Sequence, residues 1–131
     1  GEKISLGDFS GRKLVLYFYP KDDTPGCTAQ ACNLSENYKQ LQAQGYKVLG
    51  VSPDTAKKHQ KFIEKYNLNF DLLADVEKET IQAYGVWVEK SMYGKSYMGV
   101  ARTTFIIDEK GIILDVIEKV NTKEHTAQII S

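Results

Sequence analysis

The stretch "KLVLYFY", residues 13–19, places six apolar or aromatic residues in an unbroken row after a single lysine. A strand with one wet face would alternate, so a continuous β-prone run of this length reads as a strand buried on both faces. Such a strand needs covering layers on both sides, which restricts the chain to a layered α/β architecture. Residues 20–23 then break the pattern. Thr24 supplies an oxygen of the type that caps helices, and Pro25 suits a first helical position.

From Pro25 the residues Leu34, Tyr38 and Leu41 recur at three- and four-residue spacings, and Gly45 stands where a C-terminal cap belongs. One helix over residues 25–43 is expected. "YKVLGVS" is the next strand, and "AKKHQKFIEKY" forms a second helix with Phe62, Ile63 and Tyr66 on one face. "NFDLLAD" and "VEKETIQAYG" read as an inserted extended piece and short helix. "TTFIID", the turn "EKG" and "IILDVIE" make a β-hairpin, and "TKEHTAQII" begins a closing helix with Thr122 as its cap. Strand, helix, strand, helix, insertion, hairpin, helix is the order of the thioredoxin-like fold, a central mixed sheet flanked by helices. No linker or repeat divides the chain, so residues 1–131 are expected to form a single domain.

Seventeen basic and seventeen acidic residues cancel, so no global field recruits nucleic acid or an anionic membrane surface. The longest apolar run falls far short of the ~20 residues that span a bilayer, and no signal-peptide pattern precedes it. A cytoplasmic, soluble protein acting on a small or neutral substrate is expected. Because the chain opens on Gly1 and stops at Ser131 inside a helical pattern, further residues are expected beyond both ends.

The only two cysteines, Cys27 and Cys32, lie five residues apart in the predicted helix. A five-residue step along a regular helix separates Cα atoms by roughly 8.5 Å, whereas a disulfide needs them within about 4.4–6.8 Å. The pair is therefore either inert or part of a mechanism that unwinds the helix. A sparse pair in a reducing compartment is more often catalytic or metal-binding than structural. His59 and His125 stand at no recognised ligand spacing from the thiols or from each other, so no metal site is expected. Both are read as helix-surface residues without chemical duty.

Cys27 would occupy the first helical turn, at the carboxyl edge of the sheet, where free backbone N–H groups and the positive end of the helix dipole favour a thiolate. The alternative is a small buried apolar residue. Cys32, near Leu34, reads on its own as a deeper core position. Tyr19, ending a buried strand, reads as core with a supporting position beside the site as the alternative. Trp87, Met92 and Tyr93 form either an apolar rim near the site or an exposed insertion.

"PKDDTPGC" matches the pattern P-x-x-x-T-x-x-C through Pro20, Thr24 and Cys27, and "ARTTFIID" adds Arg102. In these motifs the chain resembles the peroxiredoxins, and specifically the Q-type or bacterioferritin comigratory branch, in which a resolving cysteine lies five residues after the peroxidatic one. The likeness runs from about Gly11 to the end, and only "GEKISLGDF" stands where such proteins carry an N-terminal hairpin. The resemblance implies a domain lacking part of that hairpin and the end of the closing helix.

It also implies a thiol-dependent peroxidase that uses no metal, haem or flavin. Cys27 would attack a peroxide of hydrogen or a small organic group, Cys32 would condense with the resulting sulfenic acid, and a dithiol protein such as thioredoxin would reduce the disulfide. Arg102 would stabilise thiolate and leaving oxygen, Thr24 would hydrogen-bond the peroxide and Pro20 would shield the sulfur. A monomer is expected, since the resolving thiol is in the same chain. Two other readings stay open: a thioredoxin-like disulfide oxidoreductase, which ordinarily uses C-x-x-C, and a thioredoxin-fold binding module whose cysteines merely pack. In the second, Thr24 only caps a helix, Arg102 only pairs with a surface carboxylate, and Pro20 only ends a strand.

Overall fold

A computed structural model describes residues 11–130, so the expected remnant of an N-terminal hairpin in "GEKISLGDF" lies outside the described residues. The chain order is β1 (Lys13–Phe18), α1 (Pro25–Glu36), α2 (Tyr38–Ala43), β2 (Tyr46–Ser52), α3 (Ala56–Tyr66), β3 (Asp71–Ala74), α4 (Glu79–Ala83), β4 (Trp87–Met92), β5 (Lys95–Val100), β6 (Thr103–Ile107), β7 (Ile113–Ile117) and α5 (His125–Ile130). Five strands form one mixed sheet in the order β3-β2-β1-β6-β7, while β4 and β5 pair only with each other. β1 runs parallel to β2 and antiparallel to β6. This is the thioredoxin-like arrangement expected from the element order.

β1 is the central strand, and both of its faces are buried as its unbroken apolar run requires. Val15, Tyr17 and Tyr19 join one core with Cys27, Ala31 and Leu34 of α1, Leu41 of α2, Phe62 of α3 and Ile129 of α5. Leu14, Leu16 and Phe18 join a second core with Ile81 of α4, Val86, Val100 and Phe105. Full burial of one such aliphatic or aromatic side chain contributes about 1.5–3 kcal/mol, so two filled faces make β1 the rigid member on which the site is mounted. Among the described residues no helix is long and apolar enough to cross a membrane.

Three local expectations are corrected. The single helix over residues 25–43 is two helices, because Asn37 leaves helical geometry (φ −103°, ψ 14°) and its side-chain amide donates to the Asn33 carbonyl four residues back at 2.8 Å. Gly45, at φ +88°, follows the second of them as expected. The extended piece after α3 is not part of an insertion: as β3 it pairs in parallel with β2. Residues 87–100, to which the sequence pattern assigned no element, fold into the separate hairpin β4–β5. Thr122 lies three residues before α5 and does not cap it.

Candidate active site

Cys27 is the third residue of α1, after Thr24 in an extended N-cap conformation and Pro25 at the first helical position. Its backbone N–H is therefore among those that a helix start leaves without intrahelical partners. The cap forms without a side-chain bond to the helix: the Thr24 hydroxyl instead donates to the Lys21 carbonyl at 3.0 Å. Thr24 and Pro20 are both half-buried.

Arg102 arrives through topology rather than sequence. It immediately precedes β6, and because β6 is antiparallel to β1, its first residue Thr103 pairs with Phe18 at the carboxyl end of β1. The guanidinium thereby reaches Cys27, with Nη2 3.2 Å from Sγ. Nη1 donates to Gln30 Oε1 at 2.6 Å, and Gln30 lies one helical turn beyond Cys27 with no exposed surface. Gly26 makes the approach possible, since a Cβ there would sit 3.2 Å from Nη2. The reading of Arg102 as an ordinary surface cation fails on these contacts, because its partners are a thiol and a buried amide.

Burial of the two thiols reverses the expectation. Cys27 is 2% exposed, packed with Ala31 and Leu34 along one stripe of α1, whereas Cys32 is only half-buried. Cys32 follows Ala31 by one residue and so points about 100° away from the stripe that meets the sheet. Both thiols are free, and α1 runs continuously through them. Burial pushes the Cys32 thiol up, and the neighbouring Glu36 carboxylate adds to it. At neutral pH Cys32 is therefore a protonated thiol.

Several contributors were not legible beforehand. Gln30 holds Arg102 through its carbonyl oxygen, while its own Nε2 is buried without a partner. Tyr17 presents a buried hydroxyl without a partner, and burial, followed by the nearby Cys27 charge, holds it well above the usual phenol range as a neutral group. Lys90 of β4 is lowered from the ordinary lysine value, first by burial, then by the Arg102 charge, with Cys27 opposing. It thus sits within the electrostatic reach of the thiol and the guanidinium. Only the spacing of Gln30 from Cys27 gave any prior signal.

The aromatic candidates divide. Tyr19 is core, as read, and its hydroxyl donates to Asp22 at 2.5 Å. Trp87 packs against the second core, so it forms no rim, while Met92 (56% exposed) and Tyr93 (96%) lie at the β4–β5 turn, as the exposed-insertion reading has it. The two histidines, expected on helix surfaces, are both buried. His59 shares a stripe with Phe62 of α3, and His125 accepts from the Thr104 hydroxyl at Nε2 and donates from Nδ1 to Gln128 Oε1, each 2.8 Å away.

The profile of the AhpC/TSA family matches residues 1–116. The chain belongs to that family, among the peroxiredoxins. The peroxiredoxin is 45% identical over 130 residues to Peroxiredoxin Bcp of Bacillus subtilis, covering 99% of this chain and 83% of that one. It is 46% identical over 125 residues to Peroxiredoxin Bcp of Escherichia coli, covering 95% and 80%. Among solved structures it resembles peroxiredoxin Q of Xanthomonas campestris, with TM-score 0.93 and 36% identity over 98% of this chain and 82% of that one. A bacterioferritin comigratory protein of the same organism, studied for alkyl peroxide reduction, gives 0.92 and 35% at the same coverage. The Q-type branch, inferred from Cys32 standing five residues after Cys27 within the Pro20, Thr24, Cys27 and Arg102 motif, is thus the branch these relatives share.

Proposed function

We propose that this peroxiredoxin reduces hydrogen peroxide and small organic hydroperoxides through a two-thiol cycle in which Cys27 is the nucleophile and Cys32 the resolving thiol. The observation that carries the assignment is the 3.2 Å contact between Arg102 Nη2 and Cys27 Sγ at the first turn of α1. A cation and a helix start directed at one sulfur favour its thiolate, the reactive form.

In the first step the Cys27 thiolate attacks the nearer peroxide oxygen. The S–O bond forms as the O–O bond breaks, and the departing oxygen leaves as alkoxide or hydroxide and takes up a proton. Uniform stabilisation of the starting thiolate gives no rate gain, so the useful part of Arg102 is what it offers the departing oxygen. Gln30 keeps the guanidinium turned towards the sulfur, the Thr24 oxygen, whose own proton goes to the Lys21 carbonyl, accepts from the peroxide O–H, and Pro20 shields the sulfur from bulk water.

In the second step the Cys32 sulfur attacks the Cys27 sulfenic acid, forming the disulfide and releasing water. With roughly 8.5 Å between Cα atoms on a regular helix, this requires the first turns of α1 to open. Oxidation removes the thiolate charge that binds Arg102, which weakens the tie holding Cys27 in that turn. An external dithiol protein of the thioredoxin type then reduces the bridge. The proposal includes a reducing, cytoplasmic setting and a cycle complete within one chain, without a second copy, nucleic acid or membrane.

The test is peroxide consumption with thioredoxin and its reductase as electron source. Wild type is expected to turn over and Cys27→Ser to show none. Turnover retained in Cys27→Ser, or insulin-type disulfide reduction without peroxide consumption, would replace this reading by the disulfide oxidoreductase or binding-module alternatives.

A further inference from the structure

Outside the thiol centre, Tyr19, Asp22, Ser52, Asp54 and His59 build a buried polar cluster at the carboxyl ends of β1 and β2. Asp22 and Asp54 are each 8% exposed, His59 3% and Ser52 0%. Asp22 is held from three directions: Tyr19 donates to Oδ1 at 2.5 Å, His59 Nδ1 meets Oδ2 at 2.6 Å, and the Asp22 backbone N–H donates to Asp54 Oδ2 at 2.8 Å. Asp54 Oδ2 also takes the Ser52 hydroxyl at 2.7 Å. His59 Nε2 lies 3.0 Å from the Leu73 carbonyl, which can only accept, so Nε2 carries a hydrogen.

By residue type Asp22, Asp54 and His59 could ligate a cation, as their donor atoms lie within 4.8 Å of one another. Their facing atoms are already spent on these bonds, however, and an ion would have to break several of them. The arrangement is a clamp, and what it clamps is the segment between β1 and α1. Immediately after Asp22, Asp23 adopts a left-handed backbone (φ +57°), a region uncommon for residues with a Cβ though one that Asp enters more readily than most. The Asp23 carboxylate accepts from Lys65 at 2.8 Å and Tyr66 at 2.7 Å, so α3 grips this turn through both acids. Thr24, Pro25 and Cys27 follow directly.

We propose that the buried Asp22–His59 pair is the positioning device of the peroxide site, fixing the left-handed turn at Asp23 and hence the placement of Pro20, Thr24 and the first turn of α1. The proposal rests on the roles given above to Cys27 and Thr24. Neither Asp22 nor His59 touches the peroxide. They act through the loop, and reactions with peroxide, which need in-line alignment, depend on them more than reactions of the bare thiolate do.

The experiment compares two rates on Cys27 in folded, reduced protein: oxidation by hydrogen peroxide, and alkylation by iodoacetamide, which requires the thiolate but not the peroxide pocket. His59→Leu is expected to slow oxidation on the order of 10- to 100-fold while alkylation stays within a few-fold. Asp22→Asn is the conservative rescue. Its amide can donate to His59 Nδ1 and its oxygen can still accept from Tyr19, so oxidation near the wild-type rate is expected. Tyr19→Phe deletes one tie to Asp22 and keeps the ring stacked on Tyr17 (centroids 5.3 Å apart); it should give a smaller loss in the same direction and serves if His59→Leu does not fold. Wild-type oxidation in folded His59→Leu or Tyr19→Phe, or equal slowing of oxidation and alkylation, would overturn the positioning role. Activity remaining in Cys27→Ser, run alongside, would instead overturn the site assignment itself.

Discussion

Arg102→Met removes the guanidinium while keeping an unbranched side chain of similar reach. Two contacts disappear, the 3.2 Å approach to Cys27 Sγ and the 2.6 Å bond to Gln30 Oε1. A unit charge pair at that first distance interacts by about 5 kcal/mol in an effective dielectric near 20, but much of this acts equally on the starting thiolate and cannot lower the barrier. What remains is the donor aimed at the departing oxygen, and removal of one such donor costs about 2.7–4 kcal/mol, or 10²–10³ in rate. The second lost contact is felt in stability. Gln30 Nε2 is already unpartnered, and the variant leaves Oε1 without its donor too, at a cost of about 1–3 kcal/mol. The two effects separate in Arg102→Met/Gln30→Leu, where the orphaned amide is gone: stability should return towards wild type while the rate does not. Quenched-flow oxidation, with alkylation of unreacted Cys27 read by mass spectrometry, gives the rate, and denaturant unfolding gives the stability. An oxidation rate within twofold of wild type in Arg102→Met would refute the reasoning, whatever happened to stability.

Gly26→Ala should separate the same quantities with opposite signs. A Cβ 3.2 Å from Arg102 Nη2 displaces the nitrogen that meets the sulfur, so oxidation should slow several-fold while alanine's helix propensity keeps the thermal midpoint from falling; an unchanged rate would show that the guanidinium has room to spare. Burial, with the Arg102 charge assisting and the Gln128 bond opposing, lowers the His125 pKa from its ordinary value. The unfolded chain therefore takes the proton more readily. Stability from this residue is flat above about pH 6.5 and falls as pH drops through that value towards the folded pKa. Unfolding free energies from about pH 8 to about pH 5 should decline less steeply in His125→Asn than in wild type, and parallel curves would contradict the assignment. Amide hydrogen exchange across residues 24–36 should be slow in the reduced protein and fast in the disulfide form, since α1 must open for the bridge to close. Equal protection in both would exclude gating by that helix.

What the sequence revealed and what it hid follow from the range of the forces involved. The unbroken run in β1, the Thr24-Pro25 helix start and the Phe62, Ile63, Tyr66 stripe are local patterns, and each corresponds to an observed element. The break at Asn37 rests on one side-chain amide competing for a backbone carbonyl, which hydrophobic spacing does not encode. The β4–β5 turn was hidden because both of its loop residues, Tyr93 and Gly94, take positive φ (53° and 78°), and tyrosine is an unusual choice where Asn-Gly is the familiar signal. His59 lies three residues before Phe62 and four after Thr55, so its inward stripe was visible in principle; what was not visible was Asp22 waiting across the core. Pro20, Thr24, Cys27 and Arg102 were legible as a motif. Gln30 left a trace only in its three-residue spacing from Cys27 on the same helix, and Lys90 left none, because only the fold brings β4 to the thiol.

The central claim is that Cys27 attacks peroxide and Cys32 then resolves it, and its most direct test is a one-equivalent peroxide titration followed by intact-mass and peptide mass spectrometry. Wild type is expected to lose two hydrogens and yield a single Cys27–Cys32 linked peptide. Cys32→Ser should still consume its equivalent, but stop as a Cys27 sulfenic acid that overoxidises with further peroxide. Cys27→Ser should consume none. Peroxide consumption with oxygen added at Cys32 while Cys27 stays reduced, or a disulfide joining two chains in place of the internal bridge, would contradict the account.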